Sequence, residues 1–445
     1  MTTTTRGVLR SPRAAAPPSG VAAAVAPLVR RFDSRAEDGR AFGIRFWDGS
    51  ELPPTAAGCD GGTAAPWLVL RRPDALRRIV SAPGELGLSR AWVAGELDVD
   101  GDLMRAMVLT EEYRHAPVQP SDALVALHVA RRLGLLRHRP PEPPAAEARL
   151  RGRLHSTARD RAAISHHYDV SNEMYRAMLG PTMVYSCAYY SGEDDTLDAA
   201  QTRKLDLICR KLELQPGERL LDIGCGWGSL LIHAAREYGV RGVGVTISEQ
   251  QAALARVRVR ESGFADRIEV RLQDYRDVAD GPYDSIASIG MFEHVGRGQL
   301  ARYLSGVRRL LSDGGLFLNH GIVRTSPQPP SDRSFSRRYV FPDGELHTQG
   351  VVIAELEAAG LEVRDDESLR AHYARTLRDW SVNLDAWRER AIAEVGAERE
   401  RVWRLHNAGA SLAFERGSLS VHQVLAAPLG PGGGAPPLRV RAYTV

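Results

Sequence analysis

The segment RLLDIGCGWGSLL at residues 219–231 decides the fold of this chain. Leu220, Leu221 and Ile223 form the apolar run of a parallel strand that is covered on both faces. A sharp turn follows, which brings the backbone close to a ligand and is built on three glycines: Gly224, Gly226 and Gly228. Helical spacing then begins at residue 229. The pattern predicts an α/β sheet with a nucleotide-like ligand at the carboxyl end of this strand.

The spacing of the three glycines indicates which ligand binds there. Gly-x-Gly-x-Gly differs from the Gly-x-Gly-x-x-Gly of dinucleotide folds, and Asp222 lies on the strand just before the turn. A cofactor without phosphates needs acceptors for its ammonium and hydroxyl groups more than it needs a phosphate cradle. The pattern therefore favours S-adenosylmethionine over NAD. A glycine-rich turn that serves packing is the alternative.

Length and charge exclude several classes of function. A chain of 445 residues has room for two domains or one enlarged domain, and a formal charge of +3 is too small to indicate a nucleic-acid partner. Lys204 and Lys211 are the only lysines among 58 basic residues, which we interpret as GC-rich coding.

The cysteines and the apolar runs indicate the cellular compartment of the protein. Four cysteines, Cys59, Cys187, Cys209 and Cys225, show neither metal nor disulfide spacing, so we expect a reducing compartment and no metal. No apolar run reaches the roughly 18 residues of a spanning helix. The alanine-rich run at 21–29 contains a proline and lacks a convincing cleavage site. We therefore expect a cytoplasmic protein.

Changes in composition divide the chain into segments. We expect a disordered or poorly ordered N-terminus at 1–41 and a smaller α+β accessory domain at 42–125 that engages lipid or dimerises. A basic proline-rich linker at 126–155, a catalytic domain at 156–427 and a loose tail at 428–445 follow. The acidic residues of the accessory domain do not have the spacing of a calcium loop and predict a solvated turn: Glu96, Asp98, Asp100 and Asp102.

The linker carries seven arginines, Arg131, Arg132, Arg137, Arg139, Arg149, Arg151 and Arg153. Two interpretations have equal weight. The segment is either a solvated linker or a surface attracted to an anionic bilayer, at about 1 kcal/mol per basic side chain near the membrane.

The catalytic domain has the βαβ rhythm of a doubly wound sheet. Strands are predicted at 220–223, 242–247, 268–273, 285–289 and 316–320, with helices at 248–263 and 300–311 between them. A helix and a strand follow at 351–359 and 361–365, and helical runs at 377–414 predict a cap.

Three further motifs fall at the carboxyl edge of the predicted sheet. They are GVTISEQQ (244–251), with polar groups in the ribose position, QDY (273–275), suited to adenine edge contacts and an aromatic wall, and IGMFEHVG (289–296), which places a carboxylate and an imidazole beside the expected methyl group. Before the sheet lie HHYDVSNEMY (166–175) and VYSCAYY (184–190). These aromatic segments predict either a lid over an apolar substrate or ordinary helix packing.

Together these motifs resemble one family, the cyclopropane-fatty-acyl-phospholipid synthases and the related mycolic acid cyclopropane synthases. The resemblance covers residues 156–427 and adds the motifs LNHGI (318–322) and HYARTLRDW (372–380) in order. It extends more weakly over 42–125, which is similar to the extra N-terminal domain of the phospholipid-modifying members. The resemblance implies a class I methyltransferase sheet with a helical cap.

The family implies methyl transfer from S-adenosylmethionine to a cis double bond of a phospholipid acyl chain, followed by loss of a proton and ring closure. In the family a bound bicarbonate is the base, and its ligands map onto Cys187, Glu293, His320, Tyr373 and the backbone of Ile322. The implied roles are donation to the anion by His320 and acceptance of its proton by Glu293. The cofactor contacts map onto Tyr185, Ser186, Asp222, Gly224, Gly226, Gly228, Thr246, Ile247, Gln251, Asp274, Tyr275 and Ile289.

Each catalytic candidate also has a purely structural interpretation. Cys187 alone is typical of a small buried hydrophobe, and Glu293 with His294 fits a pair at a helix N-terminus. His320 and Tyr373 are each typical of satisfied core groups. Their joint occurrence, in the order of the family, favours the catalytic interpretation.

The resemblance also implies partners. We expect a membrane phospholipid as substrate, peripheral association with the inner face of the membrane, a possible homodimer, and no nucleic acid. Relatives that do not close a ring form methyl-branched, methylene-branched or hydroxylated chains, which is the nearest alternative. A protein-bound acyl substrate, a soluble small-molecule N-methyltransferase and a non-catalytic lipid-binding protein are the others.

Overall fold

The computed structural model describes residues 18–56, 65–114, 119–137, 139–168, 170–328 and 331–429. The chain divides into two units, Met1–Glu142 and Pro143–Val445, with the boundary inside the predicted linker at 126–155. The predicted disorder at 1–17 and the predicted tail at 430–445 lie outside the described residues, as does Cys59.

The N-terminal unit combines a small sheet with helices. Its sheet has the order β2-β1-β3-β4, in which β1 and β3 are parallel and the other pairs antiparallel. The elements are α1 (Gly20–Asp33), β1 (Gly43–Arg45), β2 (Glu51–Leu52), β3 (Trp67–Leu70), α2 (Pro73–Ser81), α3 (Glu85–Val93), β4 (Leu97–Asp100), α4 (Leu103–Arg114) and α5 (Pro120–Arg132).

Helix α1 corrects the prediction of disorder at 1–41. Its alanine-rich sequence buries one face, including Ala22 and Ala26, in the apolar core of this unit. The free N–H groups of its first turn are also satisfied, because the Val21 amide donates to Asp48 at 2.8 Å and the Ala22 amide to Ser50 at 2.9 Å. This low-complexity sequence therefore forms a helix because tertiary contacts stabilise it.

The acidic segment at 96–102, which includes β4, is not a simple solvated turn. Glu96 is only 4% exposed and forms an ion pair with the buried Arg78 at 2.8 Å. A buried carboxylate needs such a partner, whereas Asp100 remains largely exposed. The prediction of a solvated turn is therefore wrong for Glu96, and it is also wrong for Asp98 and Asp100, which lie on strand β4.

The second unit is built on a seven-stranded sheet. Its order is β10-β11-β9-β8-β5-β6-β7, in which β11 runs antiparallel to both of its neighbours, β9 and β10, and the other strands run in one direction. The elements are α6 (Thr157–Tyr168), α7 (Asn172–Leu179), α8 (Leu197–Lys211), β5 (Arg219–Ile223), α9 (Ser229–Tyr238), β6 (Arg241–Thr246), α10 (Glu249–Glu261), β7 (Ile268–Leu272), β8 (Tyr283–Ile289), α11 (Leu300–Leu310), β9 (Leu311–Arg324), α12 (Gln349–Ala358), β10 (Leu361–Ser368), α13 (Arg370–Ala386), α14 (Arg388–Val395), α15 (Ala397–Glu415) and β11 (Leu419–Pro428).

This topology confirms the predicted doubly wound fold. The chain runs from β5 outward through β6 to β7, then returns to β8 on the other side of β5. The point where the strand order reverses is where open α/β sheets bind ligands, beyond the carboxyl ends of the strands. The glycine turn after β5 lies at that point.

Apolar layers cover both faces of the sheet. Leu220 faces the layer that includes Leu231 of α9 and Ala255 of α10, whereas Leu221 faces the layer that includes Leu304 of α11. Neighbouring residues of one strand point to opposite faces, which explains the unbroken apolar run. Helices α13 to α15 form the predicted cap, in which α13 and α14 pack against α7 and α15 packs against α13.

Strand β11 is an element that the sequence did not predict. It lies between β9 and β10 and pairs Gln423 with His320. A buried glutamine breaks the apolar alternation of this strand, so its burial depends on contacts made far away in the chain. No helix in the described part of the chain has both the length and the apolarity needed to cross a bilayer.

Candidate functional site

The glycine turn after β5 has the backbone that its sequence predicts. Gly224, Gly226 and Gly228 have φ values of +81°, +53° and +81°, a region that side chains disfavour. The amides of Gly224 and Cys225 donate to the Val245 carbonyl at 2.9 and 3.1 Å, which ties the turn to β6. A Cβ at Gly224 would also meet the Met291 side chain at 3.0 Å.

A cavity opens directly beyond this turn. Its empty volume is about 1000 Å³ when the mouth is included, and it lies at the carboxyl ends of the strands from β5 to β8. Most of the predicted cofactor contacts line it: Tyr185, Gly224, Gly226, Thr246, Ile247, Gln251, Asp274, Tyr275 and Ile289.

Helix α6 forms a wall of the cavity that the sequence did not predict. Asp160, Ala163 and Ile164 line it together with Arg276 and Trp227. The spacing of the three α6 residues puts them on one helix face, which is a signal for a shared role but does not say which neighbour that face meets.

Asp274 is held in place by an arginine. The Arg276 guanidinium donates to both carboxylate oxygens, at 2.8 and 2.6 Å, and to Asp160 at 3.1 Å. Burial acts to raise the pKa of Asp274, but the hydrogen bonds from Arg276 outweigh it and lower the pKa. Asp274 is therefore an ionised acceptor at the cavity wall.

Three predicted cofactor residues do not line the cavity. Gly228 precedes α9 and approaches Ala255, so it serves packing. Ser186 accepts a hydrogen bond from Lys204 at 2.8 Å. Asp222 is 3% exposed, and burial raises its pKa to about 7 against the opposing charge of Lys204. Ser186 and Asp222 are both buried, next in the chain to Tyr185 and Ile223, which do line the cavity.

The candidates for the anion site occupy a buried region beside the cavity. Cys187, Tyr373 and Ile322 belong to one apolar cluster. Glu293 joins them because its Oε1 accepts a hydrogen bond from the Ile322 amide at 2.6 Å. The Cys187 thiol and the Tyr373 amide both donate to the Leu369 carbonyl, at 3.6 and 3.0 Å, which places Cys187 and Tyr373 near each other. Burial raises the pKa of Tyr373.

His320 lies two residues before Ile322 on β9, so both side chains lie on the same face of the strand. Its Nδ1 is 3.2 Å from the Gln423 amide nitrogen, whereas its Nε2 is buried without a hydrogen-bond partner. Oε2 of Glu293 is likewise buried and unpaired. Unsatisfied buried polar atoms cost roughly 1–3 kcal/mol each, so each of these two atoms is a candidate contact for a bound group.

Burial also sets the protonation of these groups. It raises the pKa of Glu293 to about 7 and holds the pKa of His320 well below its usual value. Burial raises the pKa of Cys187, whose thiol donates to the Ala188 carbonyl at 3.2 Å. Cys187 is therefore a neutral thiol at neutral pH and not a nucleophile.

Some residues of the two aromatic motifs line the cavity, and others are buried in the core. Tyr168 and Tyr185 line the cavity with ring centroids 6.1 Å apart, and Tyr185 stacks on Trp380 at 5.1 Å. Met174 and Tyr175 are instead completely buried in the cluster beneath the cap. The packing interpretation therefore holds for these two residues, while the tyrosine wall suits a cationic ligand.

A family model described as mycolic acid cyclopropane synthetase matches residues 155–424. The chain belongs to this family. It is an S-adenosylmethionine-dependent methyltransferase of the cyclopropane synthase family, and the predicted relationship is confirmed.

Two relatives match this chain over most of their own length. A probable fatty acid methyltransferase of Mycobacterium tuberculosis is 42% identical over 401 residues, covering 87% of this chain and 91% of the relative. The cyclopropane-fatty-acyl-phospholipid synthase of Escherichia coli is 34% identical over 380 residues, covering 84% and 91%. The crystal structure of a mycolic acid cyclopropane synthase complexed with S-adenosylhomocysteine (SAH) and CTAB superposes with a TM-score of 0.57 and 36% identity, covering 60% of this chain and 97% of that one.

Proposed function

We propose that this enzyme transfers the methyl group of S-adenosylmethionine to a cis double bond of a phospholipid acyl chain and closes a cyclopropane ring. The observation that carries the proposal is the Glu293 carboxylate. One of its oxygens is bound to the Ile322 amide and the other is buried and unpaired, while its neighbour His294 lines the cavity. Negative charge at this depth is what a cationic intermediate requires.

The chemistry has two steps. The alkene π electrons attack the methyl carbon, the carbon–sulfur bond breaks, and its electron pair stays on sulfur as SAH forms. The resulting carbocation loses a proton from the transferred methyl group, and that carbon–hydrogen electron pair closes the ring. Buried apolar neighbours such as Tyr373 and Trp380 support the proposal because water would capture the cation.

The lining residues fit S-adenosylmethionine, which supplies an electrophilic methyl group on sulfur. We assign the ribose to Thr246 and Gln251, whose side chains are joined by a hydrogen bond of 2.9 Å. Asp274 would accept from the adenine edge, with Tyr275 as the aromatic wall.

A bicarbonate ion is the proposed base, and when bound it would take the proton from the transferred methyl group. Cys187, Glu293, His320, Tyr373 and the Ile322 amide would hold it. The unpaired Nε2 of His320 and Oε2 of Glu293 support this fit. Because the Ile322 amide already donates to Glu293, the anion would have to share that donor.

Peripheral contact with a membrane is proposed for the exposed face of α5. We define the α5 surface as Leu124, Leu127, His128, Arg131 and Arg132, all exposed, with Leu124 at 70%. Exposed leucines next to arginines are typical of a helix that lies in the headgroup region of an anionic bilayer. The remaining linker arginines, at 137, 139, 149, 151 and 153, are exposed as well.

A branched product is the second candidate. Two similar proteins, from M. tuberculosis and Pseudomonas putida, are named probable fatty acid methyltransferases, and a third is named tuberculostearic acid methyltransferase. The first step would be the same, but the cation would end as a methyl or methylene branch. Both a cyclopropane and a methylene branch add one CH2, so mass does not separate them.

Methyl-labelled S-adenosylmethionine tests the substrate class. The purified enzyme is incubated with vesicles of monounsaturated phospholipid, with saturated vesicles, with free unsaturated fatty acid, and with phosphoethanolamine. We expect label in the acyl chains of the unsaturated phospholipid. Label in phosphoethanolamine without vesicles would indicate a small-molecule methyltransferase, and failure to bind SAH would indicate a lipid-binding relic.

A further inference from the structure

Lys204 is buried beneath the site, in a chain that uses arginine almost everywhere else. It is one of two lysines among 58 basic residues and is 1% exposed. The other, Lys211, also lies on α8 and is paired with Glu367 at 2.5 Å and Asp365 at 3.5 Å. Coding bias explains the scarcity of lysine but not why both remaining lysines are buried.

Helix α8 holds Ser186 through two side chains one turn apart. The Lys204 ammonium donates to the Ser186 hydroxyl oxygen at 2.8 Å, and the Gln201 amide donates to the Ser186 carbonyl at 2.9 Å. Ser186 stands between Tyr185, which lines the cavity, and Cys187, an anion-site candidate. By holding Ser186, Lys204 therefore influences the positions of both the cavity wall and the proposed anion site.

Lys204 also interacts electrostatically with strand β5, which precedes the glycine turn. Its ammonium interacts electrostatically with Asp222 at the end of β5 and with Cys187, and it also acts on His320. Oδ1 of Asp222 is buried and has no hydrogen-bond partner. A buried ammonium and a buried carboxylate stabilise each other's charged forms. Arginine is a poor substitute, since its planar fork carries five donors that need acceptors.

We propose that Lys204 is a positioning residue that fixes Ser186 and supplies the counter-charge of Asp222 at the amino-acid end of S-adenosylmethionine. Because the Ser186 oxygen accepts from Lys204, its hydroxyl proton is left to donate to another acceptor, and the cofactor carboxylate is such a group. The ionised Asp222 is the matching charge for the cofactor ammonium. This inference rests on the proposed function, which supplies the cofactor.

Calorimetric titration with two ligands tests this role. SAH has the amino-acid end, whereas 5′-methylthioadenosine lacks it. We expect Lys204→Met to weaken SAH binding at least about tenfold, as for a lost charged hydrogen bond, and to leave methylthioadenosine binding within about twofold. Equal loss for both ligands, or loss for neither, in a folded variant would overturn the inference.

Two further variants keep the test decisive. Lys211→Met removes the other buried lysine and should leave SAH affinity unchanged, which controls for general damage to α8. Ser186→Ala should reproduce the selective loss for SAH, and it provides the answer if Lys204→Met does not fold. Unchanged SAH affinity in Ser186→Ala would contradict the proposed contact.

The pH dependence of turnover adds a readout that a structural role would not change. The pKa of Asp222 is about 7 with Lys204 present, and removing Lys204 takes away the charge that opposes the effect of burial, so this pKa should rise further. The acidic limb of the kcat/KM profile should therefore move to higher pH in Lys204→Met, and it should stay in place in Lys211→Met. A wild-type enzyme that binds SAH but labels no lipid would refute the proposed function instead.

Discussion

The carboxylate of Glu293 accepts a hydrogen bond from the backbone amide of Ile322 at 2.6 Å. This contact joins the loop after β8 to strand β9, and it leaves Oε2 of Glu293 buried without a partner. A charged group in this state is costly for folding. We interpret that cost as the consequence of a site that stabilises positive charge in the substrate.

Replacement of Glu293 by glutamine tests the charge directly. We expect Glu293→Gln to lower kcat at least about a hundredfold, because the transition state loses a buried negative charge. The affinity for SAH should stay within about threefold, since Glu293 does not line the cofactor cavity. Steady-state kinetics and calorimetry measure the two quantities. Wild-type turnover in this variant would remove Glu293 from the anion site.

The same substitution should stabilise the protein at alkaline pH. Glu293 has a pKa of about 7 in the folded protein against a usual value of 4.5. As pH rises through this interval the unfolded chain ionises first, so the folded state loses stability, and the loss is complete above about pH 7. At about 1.4 kcal/mol per pKa unit, the loss is roughly 3 to 4 kcal/mol.

Urea unfolding at about pH 5 and pH 8 measures this effect. The free energy of unfolding of Glu293→Gln relative to the wild type should increase between the two pH values. A difference that does not change with pH would show that the carboxyl group is not buried in its charged form.

Cysteine 187 offers a matched comparison. We expect Cys187→Ser to lower kcat with little change in SAH affinity, since the thiol lies in the proposed anion cage rather than at the cofactor wall. Cys209 is also completely buried, but it lies in the apolar layer beneath α8. Cys209→Ser therefore controls for the cost of a buried hydroxyl. Equal kcat values for the two variants would argue that Cys187 is a packing residue.

The proposed membrane contact of the α5 surface can be tested by substitution. Replacing Leu124 and Leu127 by serine should weaken binding to anionic vesicles about tenfold or more, because both leucines would otherwise bury apolar area. Val382 is 67% exposed on the catalytic unit, so Val382→Ser is the control and should bind as the wild type does. Cosedimentation measures both variants.

Salt separates the contributions of the two side-chain types. Raising the ionic strength should weaken vesicle binding by screening the arginines of the α5 surface. Vesicle binding that depends neither on salt nor on the two leucines would exclude this surface as the membrane contact.

The sequence predicted the parallel part of the sheet because its causes are local. Apolar runs of four to six residues, each followed by glycine or polar groups, mark β5 and β6 within one residue of their observed ends. Gly224 and Gly226 of the turn and the residues that follow the strands also line the cavity, because the carboxyl ends of parallel strands share one edge.

Elements that depend on distant contacts were not predicted. The alanine-rich sequence of α1 is typical of disorder, and α1 is ordered because its alanines pack into the N-terminal core. Strand β11 contains Gln423, which is buried between β9 and β10. The α6 wall and the role of Lys204 were missed for the same reason. A helical face, or a single lysine, does not show in sequence which group it will meet.

Proton NMR of the fatty esters released after reaction with S-adenosylmethionine and monounsaturated phospholipid vesicles tests the central claim most directly. The account predicts the high-field resonances of a cyclopropane ring methylene and a matching loss of olefinic protons. Resonances of an exocyclic methylene or a branch methyl, with no ring signal, would contradict ring closure.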